Sequence, residues 1–242
     1  MSMNRRLVAT LAASAVCLSM AAVAPGAQAS PGSRKPGAVQ MACRRGPSSV
    51  GAPASVDSQY QLGAKAPAFT ATRLDCGTTS LKQLANGHVT FVNFLASWCE
   101  YCIAEAADLT AFYNKYHPKG LNGVGVDTSD DGPPAGNPSL FYTKYRFPFP
   151  SVWDPNDSHN PVPTRNTHGK IWNAYATQPG VACIPTTFWL HKDGTIAVVY
   201  VGQMTPATML QNYEWAQESQ ADLNKDPNYL ATEAQFSKCI PA

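Results

Sequence analysis

The chain has 242 residues, 44% hydrophobic and 14% charged, with 18 basic against 16 acidic side chains. This is ordinary globular material, long enough for one sizeable core, and it excludes intrinsic disorder and collagen. Setting aside Arg5 and Arg6 leaves 16 basic against 16 acidic residues, so no basic excess argues for nucleic acid.

In chain order, Met1 to Ala29 carries Arg5-Arg6, an uncharged Ala-rich run from Leu7 to Ala24, and the small-x-small sequence Ala27-Gln28-Ala29. That is the pattern of a secretory signal cut near Ala29, which places the mature chain outside the cytoplasm. Residues 30–58 are rich in Pro, Gly, Ser and Ala without apolar periodicity, and read as a flexible spacer before a domain over 59–242. His88 to Leu95 (HVTFVNFL) reads as a buried strand that runs into Ala96-Ser97-Trp98-Cys99. Cys102, Ala106, Leu109, Tyr113 and Tyr116 then recur at steps of four and three, one face of a helix that Pro118 and Gly120 end. Strands are expected at Gly123 to Asp127 and Pro150 to Trp153, with a helix over Asn137 to Tyr145 between them. Asp154 to Gly169 reads as a polar surface excursion. A helix over Lys170 to Ala176 precedes two strands, Thr186 to His191 and Ile196 to Val201, joined by the hairpin-type turn Lys192-Asp193-Gly194-Thr195. Thr205 to Ser219 closes as a helix. Strands alternating with helices, then a hairpin and a helix, give an α/β sheet covered on both faces.

Seven cysteines need an account. Cys17 leaves with the signal. Cys99 and Cys102 sit where a buried strand delivers the chain into a helix, three residues and about 5 Å apart along its axis, within disulfide reach. Unsatisfied amides and the helix dipole favour an anion at Cys99, which makes it the nucleophile. Cys102, a turn inside on the buried stripe, is the resolving thiol. Glu105, three residues further, is the candidate acid/base. Trp98 beside the nucleophile reads as a lid and optical reporter. A bare C-x-x-C is also half a zinc site, but no second C-x-x-C exists and the five histidines are scattered. Asp154, His159 and His168 on the excursion are too irregularly spaced to make a metal site, so neither metal nor cofactor is expected.

The motifs Gly63-x-x-x-Pro67-x-Phe69, Phe91 to Trp98-Cys99-Glu100-Tyr101-Cys102, Glu105, Gly125-Val126-Asp127, Ile184-Pro185-Thr186-Thr187-Phe188 and Asp193-Gly194 together resemble the TlpA/ResA/DsbE-like branch of the thioredoxin superfamily. The resemblance spans residues 60–220. It implies a thioredoxin-like fold: a central mixed β-sheet flanked by helices, with a surface loop inserted before the strand that follows a cis-proline. It further implies an exported thiol-disulfide oxidoreductase in which Cys99 attacks, Cys102 resolves and Glu105 is the acidic residue near the pair. Pro185 would be the cis-proline facing them, with the backbone of Ile184 turned toward the disulfide to pair with an extended substrate segment. Partners would be thiols and disulfides of exported proteins and a membrane or cytosolic redox partner that resets the couple.

Two departures matter. Glu100 places an anion beside Cys99, which disfavours the thiolate and tilts the couple toward a reductant. Cys183 stands where the branch commonly has glycine. Cys43, Cys76, Cys183 and Cys239 allow three pairings, and we expect Cys76 with Cys183 and Cys43 with Cys239, the alternative being Cys183 as a third redox cysteine. Two rival functions fit parts of the pattern. A peroxiredoxin-type peroxidase needs a threonine or serine three residues before its cysteine, where this chain has Ala96. A non-enzymatic binding domain would keep Cys99-Cys102 as a structural bridge.

Overall fold

The computed structural model describes residues 46–51, 62–128, 142, 144–154, 169–175, 183–230, 235–236 and 238–241. The signal segment, Cys43, most of the helix expected over Asn137 to Tyr145, and the excursion with His159 and His168 lie outside the described residues.

The centre is a six-stranded mixed sheet in the order β10-β9-β8-β4-β5-β6. Its middle strands are β4 (Val89–Leu95), β5 (Leu121–Thr128) and β8 (Thr186–Leu190); β6 (Ser151–Asp154), β9 (Ile196–Val201) and β10 (Gln235–Phe236) complete it. β4 runs parallel to β5 and antiparallel to β8. All seven residues of β4 are buried, so both faces of the sheet are covered there, as the unbroken run HVTFVNFL required. Each buried Val, Leu or Phe contributes about 1.5–3 kcal/mol of hydrophobic stabilisation. Phe91 anchors the core, edge-on to Phe149 at 5.1 Å and tilted against Trp189 at 5.7 Å. Gly123 on β5 faces this ring, and a Cβ there would overlap it. The glycine is what lets the two strands share that space.

The helix after β4, here α2 (Glu100–Tyr116), buries Cys102, Glu105, Ala106, Leu109, Phe112, Tyr113 and Tyr116, the expected stripe plus Glu105 and Phe112. It gives way to a 3-10 turn, His117–Lys119, and stops at Gly120 with φ +94°, as the Pro118 and Gly120 signals imply. α1 (Leu81–Leu84) precedes it. α3 (Lys170–Tyr175) and α4 (Pro206–Gln217) match the other expected helices within two residues, and short helices α5 (Gln220–Leu223) and α6 (Pro227–Leu230) follow. Among the described residues, no helix is long and apolar enough to cross a membrane.

One expectation is corrected here. Pro47–Val50, inside the segment read as a flexible spacer, forms β1 and pairs antiparallel with β2 (Phe69–Thr72), which pairs in turn with β3 (Thr78–Ser80). Its sequence, PSSV, carries no apolar alternation because both serines are exposed; it is held by backbone pairing, by the Ser48 hydroxyl donating to the Thr70 carbonyl at 2.9 Å, and by Val50 against the core.

Candidate active site

The C-terminal end of β4 hands the chain directly to α2, and Cys99 is the residue at the hinge. It caps the helix from an extended conformation (φ −75°, ψ 113°). Its Sγ accepts the backbone N–H of Cys102 at 3.2 Å. A sulfur at this position therefore meets one of the helix's orphan donors and the positive end of its dipole, which together stabilise a thiolate. Cys102 follows one turn in, with a Cα–Cα separation of 5.2 Å, and the two are joined as a disulfide. Both cysteines are buried, Cys99 with 0% and Cys102 with 2% of its surface exposed.

Glu105 is not a solvated helix residue. It is 1% exposed, on the same buried face as Cys102. Burial pushes its carboxyl up to about 8, with Asp108 adding to the effect, while two donors oppose it: the Met204 backbone N–H to Oε2 at 3.0 Å and the Asn93 side-chain amide to Oε1 at 2.9 Å. Asn93 also donates to Thr187 Oγ1 at 2.8 Å, tying the carboxyl to β4 and β8 at once. A carboxyl that titrates near 8 holds its proton at neutral pH yet can release it close to the range where thiols ionise. Asn93, Thr187 and the Met204 amide were not singled out as site residues from the sequence. The available signal was Asn93 itself, an amide in the middle of a buried apolar strand that demands a partner.

Across the disulfide stands β7 (Cys183–Ile184), followed by the Ile184-Pro185 peptide, which is cis as the resemblance implied. The Ile184 carbonyl oxygen lies 3.6 Å from Cys99 Sγ. β7 pairs antiparallel with β11 (Ile240–Pro241), Ile240 opposite Ile184 and Pro241 opposite Cys183.

The expected pairing of the remaining cysteines is corrected. Cys183 is bonded to Cys239, not to Cys76, because β11 brings their Cα atoms to 5.7 Å. Cys43 therefore does not pair with Cys239. Cys76, at a left-handed turn position (φ +74°) between β2 and β3, is itself disulfide-bonded. Trp98 is half-buried and packs against the core beside Cys99, as does Tyr101. The Asp154 carboxylate accepts the Ile171 and Trp172 N–H groups at 3.0 and 2.7 Å, at the start of α3. Among the described residues, no group of three or more His, Cys, Asp or Glu is placed to hold a metal ion.

Against known proteins, the redoxin family model matches residues 61–216, well over half of the chain. The chain belongs to the redoxin family. Within it, this redoxin is 30% identical to the thiol-disulfide oxidoreductase ResA of Bacillus anthracis over 147 residues, 61% of this chain and 73% of that protein. It is 27% identical to ResA of Bacillus subtilis over 151 residues, 62% of this chain and 73% of that protein. Its fold is shared with a Chlorobium tepidum protein classed as a thiol:disulfide interchange protein DsbE (TM-score 0.50, 23% identity, 65% of this chain and 98% of that one). It is shared also with a Bacteroides thetaiotaomicron protein classed as a protein disulfide isomerase (TM-score 0.52, 20% identity, 69% and 96%). The thioredoxin-like fold and the ResA-like kinship expected from the sequence both stand.

Proposed function

We propose that the protein is an exported thiol-disulfide oxidoreductase acting on protein thiols and disulfides through Cys99 and Cys102. The observation that carries this reading is the junction itself: a helix-capping cysteine whose sulfur takes a backbone N–H, a second cysteine one turn away, and a buried carboxyl on the same face as the second.

The residues divide the work as follows. In the reducing direction the Cys99 thiolate attacks one sulfur of a partner disulfide, forming a mixed disulfide and releasing the partner's other sulfur as a thiolate that takes a proton. Glu105 in its ionised form, a minority at neutral pH, then takes the Cys102 proton, and the Cys102 thiolate attacks Cys99 Sγ, closing the Cys99–Cys102 bond and releasing the partner's second sulfur as a thiolate that takes a proton. In reverse, an incoming thiolate attacks Cys99 Sγ, and Cys102 leaves as a thiolate. Glu105, holding its proton below about 8, supplies the proton Cys102 needs. The Ile184 carbonyl lies beside the Cys99 sulfur, and with Trp98 and Pro185 it would line the partner's approach, an extended partner segment aligning on the Ile184 backbone.

The leader over Met1 to Ala29, with cleavage near Ala29, makes the mature protein extracytoplasmic, with a membrane or cytosolic partner resetting the couple. Trapping tests the assignment. Cys102→Ser accumulates mixed disulfides with client proteins and Cys99→Ser accumulates none; equal trapping by both variants removes the division of roles.

A further inference from the structure

The chain's own C-terminus occupies the edge on which a substrate segment would align. Three successive attachments bring it there. β10 runs parallel along β9, pairing Gln235 with Tyr200 and Phe236 with Val201. The Gln203 N–H then donates to the Lys238 carbonyl at 3.0 Å. Finally Cys239 is bonded to Cys183, and Ile240 and Pro241 pair antiparallel with Ile184 and Cys183. The residue opposite Ile240 is the one whose carbonyl lies 3.6 Å from Cys99 Sγ. Two-residue strands have little stability of their own, so the covalent bond is the strongest of the three attachments. The two disulfides also differ in access. Cys99 and Cys102 are buried, whereas Cys183 and Cys239 are both partly exposed.

We propose that β11 is a built-in occupant of the substrate edge and that the Cys183–Cys239 disulfide is the lock that keeps it there. This inference rests on the oxidoreductase reading above. The locked chain reacts with small disulfides and disfavours polypeptide ones; a chain whose lock is reduced accepts an extended, cysteine-bearing polypeptide segment in place of Lys238 to Pro241. Opening is a two-electron exchange with a dithiol. One thiolate of the dithiol attacks Cys239 or Cys183 and displaces the other, which takes a proton. The second thiol of the dithiol then closes its own disulfide, leaving Cys183 and Cys239 as thiols. A strand held in place acts at an effective concentration in the millimolar range, so a substrate segment of equal intrinsic affinity at about 0.1 mM reacts about tenfold more slowly while the lock is closed.

The test uses the mature chain, its Cys183→Ser/Cys239→Ser variant, and a Cys183→Ser chain ending at Phe236. Each is reduced at Cys99–Cys102, under conditions in which mass mapping shows the parent's Cys183–Cys239 bond still closed, and mixed with insulin or with hydroxyethyl disulfide. The expected result is a rise of about tenfold in insulin reduction for the truncated chain and a smaller rise for the double-serine variant, whose strand stays tethered through β10, with hydroxyethyl disulfide reduction within twofold of the parent in both. A synthetic peptide of residues 236–242 with serine in place of Cys239 should return the truncated chain's insulin rate toward the parent's. In the unmodified protein, reduction of Cys183–Cys239 by dithiothreitol should raise hydrogen exchange at the Ile184 and Ile240 amides at least tenfold, a readout that needs no variant to fold. Unchanged or slower insulin reduction, equal gains for both substrates, or unchanged exchange would each overturn the lock. Failure of all three forms to reduce hydroxyethyl disulfide would instead overturn the oxidoreductase reading beneath it.

Discussion

Replacing Glu105 by glutamine separates the chemistry of its buried carboxyl from its shape. In the unfolded chain this carboxyl ionises near 4.5, and in the fold near 8. Between those values the unfolded state has released a proton that the folded state still holds, so the unfolded state binds fewer protons and stability falls as pH rises. Below about 4.5 both states are protonated and there is no penalty; above about 8 both are ionised and the penalty is complete. Moving a carboxyl from 4.5 to about 8 corresponds to a loss on the order of 5 kcal/mol across that window, a large part of the stability of an ordinary domain. Glu105→Gln does not titrate, and leaves one of the donors from Asn93 and Met204 facing an amide N–H, a constant cost of about 1–3 kcal/mol. Urea unfolding of the oxidised proteins between pH 4 and pH 9 should therefore show the parent losing stability relative to the variant as pH rises, with the two curves crossing. The same variant should slow resolution of the mixed disulfide by about a hundredfold at neutral pH while leaving the first attack by Cys99 within a few-fold. Parallel stability curves, or equal slowing of both steps, would refute the assignment.

Other substitutions probe the supports of the site. Asn93→Leu removes a donor that holds the Glu105 pKa down, so the upper end of the pH-dependent loss should move above about 8, seen in the same unfolding series. Gly123→Ala forces the Phe91 ring out of its place between β4 and β5 and should cost about 1–3 kcal/mol in denaturant unfolding. Asp154→Ala leaves the Ile171 and Trp172 N–H groups unmet at the start of α3. It should cost about 1–2 kcal/mol without changing metal content measured by mass spectrometry.

The strand, helix start and cysteine pair around Cys99 were legible because each signal there is local. HVTFVNFL announces a fully buried strand, the four-and-three spacing announces the helix, and Pro118 with Gly120 announces its end. What the sequence hid is non-local. PSSV carries no apolar alternation, and β10 and β11 are two residues each, too short for any periodicity. Cys183 finds Cys239 only because β11 folds back over 56 residues, and four cysteines carry no local mark of their partners. Glu105 lies between the two cases. Its place one turn after Cys102 was readable, but its burial depends on Asn93 and Met204, elements far apart in the chain.

The central claim is that Cys99 and Cys102 exchange electrons with partners rather than staple the fold, and the reduction potential of the pair tests it most directly. Equilibration of the mature protein with glutathione or dithiothreitol, followed through Trp98 fluorescence and mass mapping of the Cys99–Cys102 bond, should give a transition between about −270 and −180 mV, the range of thioredoxins and disulfide isomerases. A bond that stays closed until well below about −300 mV would make it a structural bridge and contradict the account.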